Sequence, residues 1–165
     1  MADVSDSIAY LSGLRLAGRR VVVVGGGRVC ERRLERFLDA DAQIELIAPE
    51  ATLGIQRLAE QGRLRWTRRR YQDGDLDGAW YVLTAADDPD CNAAVSVEAD
   101  RQRIFCVRAD DRDAATAWTP ATGLVDGVQV AILAGGDHHR SRRIRDTVLG
   151  LVVKIIGSER SSRVA

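Results

Sequence analysis

Apolar residues in this chain gather into short blocks whose spacing changes from one block to the next, and the change of period predicts the elements. Val21 to Val24 is an unbroken run of four β-branched residues that stops at Gly25-Gly26-Gly27. A strand apolar on both faces must be covered on both faces, so this run predicts a central strand of a parallel sheet. From Val29 to Ala40 the apolar positions thin to Val29, Leu34, Phe37 and Leu38 with Arg and Glu between them, a helical spacing. Ile44 to Ala48 predicts a second strand stopped by Pro49, and Leu53 to Glu60 a helix closed by Gly62. Leu64 to Thr67 is a short strand, Asp73 to Gly78 a turn region, and Ala79 to Ala85 a strongly apolar strand. Asn92 to Gln102 is helical and Arg103 to Val107 is the fifth strand. Strands alternating with helices over this span predict an α/β fold, a parallel sheet with helices on both faces.

After Asp113 the character changes. Ala114 to Pro120 is small and extended, Val128 to Leu133 is a strand, and Gly135-Gly136 breaks it. Arg140 to about Ile156 predicts a helix, basic at its start and apolar from Val148 onward. The expected organisation is a sheet domain over residues 1–113 and a smaller strand-and-helix segment over 114–165. Met1 to Ala17 reads as a loose lead-in with one apolar patch, Ile8 to Leu16.

Composition narrows the class. With 165 residues and 45% hydrophobic content the chain can bury a core, which argues against global disorder. Lys plus Arg equals Asp plus Glu at 24 each, so the net charge names no polyanionic partner, and neither nucleic acid nor membrane is expected. Cys30, Cys91 and Cys106 form no CxxC pair and are too scattered for a disulfide framework. Each reads as a small buried hydrophobe in a reduced compartment. No apolar run reaches membrane-spanning length, and the first residues, Asp3 and Asp6 among them, lack the regions of a signal peptide. The expectation is a soluble cytoplasmic protein.

The candidate chemistry begins at the glycines. A phosphate-binding loop needs backbone that can approach an anion closely, and glycine adds no side chain to obstruct it. Gly25 and Gly27 occupy the first two positions of the dinucleotide fingerprint, and Cys30 takes the third, where a small residue lets the helix pack on the strand. A buried strand precedes the loop, a helix follows it, and an acid stands some twenty residues on, as that fingerprint requires. Glu50, at the end of the second strand, is the candidate for the ribose hydroxyls, whereas Glu45 sits mid-strand. The pattern therefore predicts a Rossmann-type domain that binds a dinucleotide. A carboxylate at that position favours NAD, since it would repel a 2′-phosphate, while Arg28 leaves NADP open.

The same residues suggest a family. The run from Leu14 to Arg33 resembles the start of the precorrin-2 dehydrogenase/sirohydrochlorin ferrochelatase family, the N-terminal module of siroheme synthase. Three further stretches match in order: Asp75 to Trp80, Ala85-Ala86-Asp87-Asp88 followed by Asn92, and Ile104-Phe105-Cys106 leading to Asp110. Pro120 and Gly135-Gly136 fall at family-like spacing, so the resemblance runs from about Tyr10 to Asp146. It implies NAD-dependent oxidation of precorrin-2 to sirohydrochlorin, with iron insertion in some members, and a homodimer joined through the segment after the Rossmann part. With the loop, it implies a cofactor site of Gly25, Gly26, Gly27, Arg28, Val29, Pro49, Glu50, Ala86 and Asp87.

The family's important aspartate falls on Asp110, where a carboxylate could accept the proton lost as hydride leaves. Asp111 is adjacent and is an alternative for that role. The chain departs from the family pattern at Ala86, where Thr is usual, and at Leu133-Ala134, where serines are common; it also stops short of the family's helical tail.

A tetrapyrrole fringed with carboxylates calls for arginines, which pair with such groups bidentately. Arg108, Arg140 and Arg143, with Gly135 and Gly136, are the candidate substrate contacts. Arg68 to Arg70 reads as a solvated face on the sheet's edge. His138 and His139, adjacent on an assumed extended segment, would point opposite ways and could not clamp one metal, so no tightly held metal is expected. Two alternatives stay open beside the dehydrogenase: a non-catalytic dinucleotide-binding sensor or regulatory module, and a fragment of a longer siroheme synthase.

Overall fold

The computed structural model describes residues 8–164, with side chains as far as Arg160. The start of the lead-in, with Asp3 and Asp6, lies outside the described residues. The chain forms two units, Met1–Trp118 and Thr119–Ala165, and each is described by itself.

The first unit runs β1 (Arg20–Val24), α1 (Arg28–Asp39), β2 (Gln43–Ile47), α2 (Leu53–Glu60), β3 (Arg65–Thr67), β4 (Tyr81–Thr84), α3 (Pro89–Arg101) and β5 (Phe105–Arg108). Its five strands pair in the order β3-β2-β1-β4-β5, all parallel. The order reverses between β1 and β4, which opens a crevice beyond their carboxyl ends. The valines of β1 explain the middle of the sheet. Alternate side chains point to opposite faces, so Val21 and Val23 pack with Leu34 and Ile55 on one side. Val22 and Val24 pack with Leu76, Val95 and Ala99 on the other.

Helix ends follow local chemistry. The Thr52 hydroxyl accepts from the Ile55 amide at the start of α2, and the Asp88 carboxylate accepts from the Asp90 and Cys91 amides at the start of α3. That cap, with Pro89 in the first turn, starts α3 three residues before the position that apolar periodicity predicts. Between β3 and β4 no helix forms. A single buried carboxylate organises that crossover: Glu98 accepts from the Gly74 amide at 3.1 Å, the Leu76 amide at 3.4 Å and the Gln102 side chain at 2.8 Å. The Tyr71 hydroxyl donates to its other oxygen. The stretch after β5 stays with this unit, because Ser96 donates to the Ala114 carbonyl and the Cys106 amide to the Thr116 hydroxyl.

The second unit contains β6 (Ala121–Val125), β7 (Val128–Ile132) and α4 (His138–Val164). Strand β6 is a correction, since the hydrophobic pattern assigns no element there. Thr122 and Gly123 dilute its apolar run, yet it pairs antiparallel with β7. Asp126 and Gly127, both at positive φ, form the two-residue hairpin turn that joins them. Helix α4 is also longer than its apolar stretch predicts. It begins at His138, so the two histidines are helical neighbours and not part of an extended segment. Among the described residues, no helix is long and apolar enough to cross a membrane.

Candidate cofactor site and its flank

Three loops meet at the carboxyl ends of β1, β2 and β4, and the glycines decide how closely. Gly25 has φ +116°, and a side chain there would stand 2.5 Å from the Ala85 carbonyl oxygen. A side chain at Gly26 would overlap the Glu50 carbonyl. The loops are stitched by the Gly25 amide to the Ile47 carbonyl (3.0 Å), the Ala85 amide to the Val24 carbonyl (2.9 Å) and the Thr52 amide to the Gly26 carbonyl (2.9 Å). Gly27 differs: nothing lies within 4 Å of where its side chain would be. It is the N-cap of α1, and no side chain caps that helix. The positive end of the helix dipole at Gly27 is therefore capped by no side chain, a cradle for a phosphate.

Cys30 fits its small position. The side chain is fully buried, with Sγ 3.9 Å from both the Val24 and Ala85 carbonyl oxygens, so α1 rests on the ends of β1 and β4. Burial pushes its thiol up to about 12, which keeps it protonated and inert at neutral pH.

These loops enclose a cleft of about 780 Å³, within the range of small-molecule and cofactor sites. Of the expected cofactor residues, Gly25, Gly26 and Gly27 lie on its wall. Pro49 and Glu50 line it from the end of β2, and Ala86 and Asp87 from the end of β4. Arg28 and Val29 do not line it; both are exposed on the first turn of α1. The cleft also takes residues the sequence reading missed: Arg70, Tyr71, Gln72 and Asp73 from the crossover, and Cys91 and Ala94 from α3.

Arg68 and Arg70 are exposed, as a solvated face requires, while Arg69 is partly covered. Arg68 stacks over Trp66, Arg69 grips Asp75 through two bonds of 2.6 and 2.7 Å, and Arg70 reaches the cleft. The cleft fits a dinucleotide by its own features: an open phosphate cradle at Gly27, a carboxylate at Glu50 and adequate volume.

Beyond β5, Asp110 forms a two-pronged ion pair with Arg108, at 2.9 and 3.2 Å. That pair, chiefly its hydrogen bond, holds the Asp110 carboxyl below the usual carboxylate range. Arg108, expected as a substrate contact, is committed to Asp110 and lies 3.8 Å from Asp111. Asp111 caps a turn by accepting from the Asp113 and Ala114 amides. Asp110 is not on the cleft wall but follows the strand next to it. Its neighbour Ala109 donates to the Thr84 carbonyl at 3.0 Å.

The remaining expected residues belong to the second unit. Gly135 and Gly136, at positive φ, turn the chain into α4, where the Asp137 carboxylate accepts from the Arg140 amide. That bond lowers the Asp137 pKa. Arg140 and Arg143 are exposed on the first turns of the helix.

Comparison with known proteins agrees with this geometry. Residues 13–121 match the family model described as "Putative NAD(P)-binding". A siroheme synthase of Xylella fastidiosa is 37% identical over 122 residues, 73% of this chain and 26% of that protein. Siroheme synthase 3 of Aeromonas hydrophila subsp. hydrophila is 32% identical over 145 residues, 87% of this chain and 31% of its own length. The chain therefore spans less than a third of these relatives. The solved structure of SirC, precorrin-2 dehydrogenase, superposes with a TM-score of 0.75 at 28% identity, covering 85% of this chain and 69% of that one. With the loop, the crevice and the match coinciding on the same residues, the chain belongs to the NAD(P)-binding family whose model spans residues 13–121.

Proposed function

We propose that this protein is a precorrin-2 dehydrogenase of siroheme biosynthesis, oxidising precorrin-2 to sirohydrochlorin with NAD. The observation that carries the proposal is the pairing of an open phosphate cradle at Gly27, after β1, with an ionised carboxylate, Asp110, after β5, two strands along the same sheet. The likeness to SirC and to the siroheme synthases supports the choice of substrate. Bound NAD supplies a hydride acceptor, so the oxidation removes one hydride and one proton from the tetrapyrrole.

In this reading Gly25 to Gly27 and the first turn of α1 hold the pyrophosphate, and Glu50 accepts from the ribose hydroxyls. Asp110 accepts the proton. Arg108 keeps Asp110 ionised. Arg140 and Arg143, exposed on α4, are further proposed carboxylate partners. The reduced thiols and NAD dependence fit the cytoplasm as its compartment. We also propose a homodimer formed through the second unit, whose Leu124, Leu151, Val153 and Ile155 are large, apolar and exposed.

An anaerobic assay of NADH formation from precorrin-2 tests the chemistry. The wild type should reduce NAD and Asp110→Ala should lose at least about a hundredfold in rate. No NADH from the wild type, or an Asp110→Ala variant as fast as wild type, sinks the catalytic assignment. NAD binding without turnover would select a non-catalytic module, and adding ferrous iron tests the ferrochelatase activity that the resemblance implies for some members.

The pH dependence has a definite sign. The folded carboxyl of Asp110 is depressed, so the Arg108 pair contributes stability above the unfolded value of about 3.9 and loses it as pH falls through the folded value. Proton acceptance needs the same ionised form, so the acid limb of activity should lie below the ordinary carboxylate range. Arg108→Leu should move that limb upward, and a limb that stays in place removes Asp110 as its source.

A further inference from the structure

The amide of Asn92 joins the Ala86 wall of the cleft to Thr84, whose carbonyl holds the residue before Asp110, and it has no part in the proposed chemistry. Asn92 is 1% exposed at the start of α3. Its Oδ1 accepts from the Thr84 hydroxyl at 2.6 Å and from the Ala86 amide at 2.9 Å, while Nδ2 donates to the Ala86 carbonyl at 2.9 Å. Both backbone groups of Ala86, a cleft residue, are thus held by one side chain. Thr84 is the hub on the other side. Its hydroxyl is bound to Asn92, and its carbonyl accepts from Ala109, the residue before Asp110.

We propose that Asn92 is a positioning residue, which sets the Ala86 wall of the cofactor cleft and the Asp110 carboxylate in one fixed relation. The inference rests on the dehydrogenase reading for its purpose but not for its geometry. The chain of bonds runs from Ala86 through Asn92 and Thr84 to Ala109, and every member is a direct hydrogen bond inside the first unit. An asparagine suits the task because it is the short side chain with two acceptor sites and two donor hydrogens. Three of these are spent on Thr84 and Ala86. Asn92 also favours the ionised form of Asp110, behind Arg108 and the Asp110 backbone amide. A buried amide with three of its four hydrogen-bonding sites occupied has one orientation, and so do the groups it holds.

Two readouts on the full chain test this. Asn92→Asp keeps the shape and both acceptors but cannot donate when ionised. It should raise the Kd for NAD about tenfold by calorimetry. It should also move the Asp110 titration, followed by carbon NMR of the carboxyl, to higher pH. Thr84→Val introduces no charge and keeps the shape; it should shift both readouts the same way, NAD affinity by about threefold. A purely structural role would lower the unfolding midpoint and leave the Asp110 titration alone. If either folded variant keeps the wild-type value of either readout, the positioning role is overturned, and Thr84→Val decides if Asn92→Asp does not fold. The dehydrogenase reading fails separately, by absence of NADH formation, and both readouts remain measurable in that event.

Discussion

At the scale of single residues, three consecutive glycines carry three different burdens. Gly25 combines a positive φ with a side-chain position against the Ala85 backbone, and Gly26 abuts Glu50, so both are needed for the loops to close. Gly27 faces open space, so its lack of a side chain matters to a ligand and not to the fold. Alanine at Gly25 should therefore cost on the order of 2 kcal/mol or more in urea unfolding, from left-handed backbone plus overlap. Alanine at Gly27, an N-cap, should cost no more than about 1 kcal/mol and weaken NAD binding about tenfold. Equal destabilisation by both would show that the loop is only a tight turn. The fingerprint made Gly25, Gly27 and Cys30 legible from sequence. The division of labour between Gly25 and Gly27 depends on Ala85, some sixty positions away, and has no local signal.

At the scale of elements, legibility followed the source of each element's stability. Strands β1, β2 and β4 owe their form to burial, which writes itself as apolar runs, and these were plain in the pattern. Strand β6 owes its form to pairing with β7 through an Asp-Gly turn, and its own residues are too mixed to announce it. The crossover from β3 to β4 contains the turns expected over Asp73 to Gly78, but what ties those turns to the rest of the unit is Glu98. That is why Arg70 to Asp73 were missed as cleft residues. Tyr71 and Glu98 are far apart in sequence, and their bond exists only after α3 has docked.

Glu98 is 2% exposed and accepts from two backbone amides, Tyr71 and Gln102. Glu98→Gln replaces one acceptor oxygen with a donor facing other donors. It should destabilise the protein by about 2–3 kcal/mol in denaturant unfolding and loosen the Tyr71 side of the cleft. A loss under about 0.5 kcal/mol would mean that the crossover is held by its apolar anchor, Leu76, instead.

At the scale of the whole molecule, the second unit raises the question of its own stability. A two-stranded hairpin is marginal alone and needs a partner face, which α4 supplies: Arg145 donates to the Thr122 carbonyl, and Arg160 pairs with Asp126. Residues 145, 149, 152 and 156 of α4 are partly covered, as expected of the helix side turned to the hairpin. Another stripe is not. Ile144, Leu151 and Ile155 stand seven and four residues apart, steps that keep side chains on one face, and Leu151 and Ile155 are 53% and 57% exposed; Val148, on the same face, is partly covered. Exposed apolar stripes on a long helix favour association, and a two-fold dimer would bury the same stripe from both copies. If the proposed homodimer uses it, the full chain should sediment as a dimer, and Leu151→Glu with Ile155→Glu should sediment as a monomer. NAD binding should survive, because the cleft residues all lie in the first unit. A double variant that still sediments as a dimer would remove this stripe as the interface.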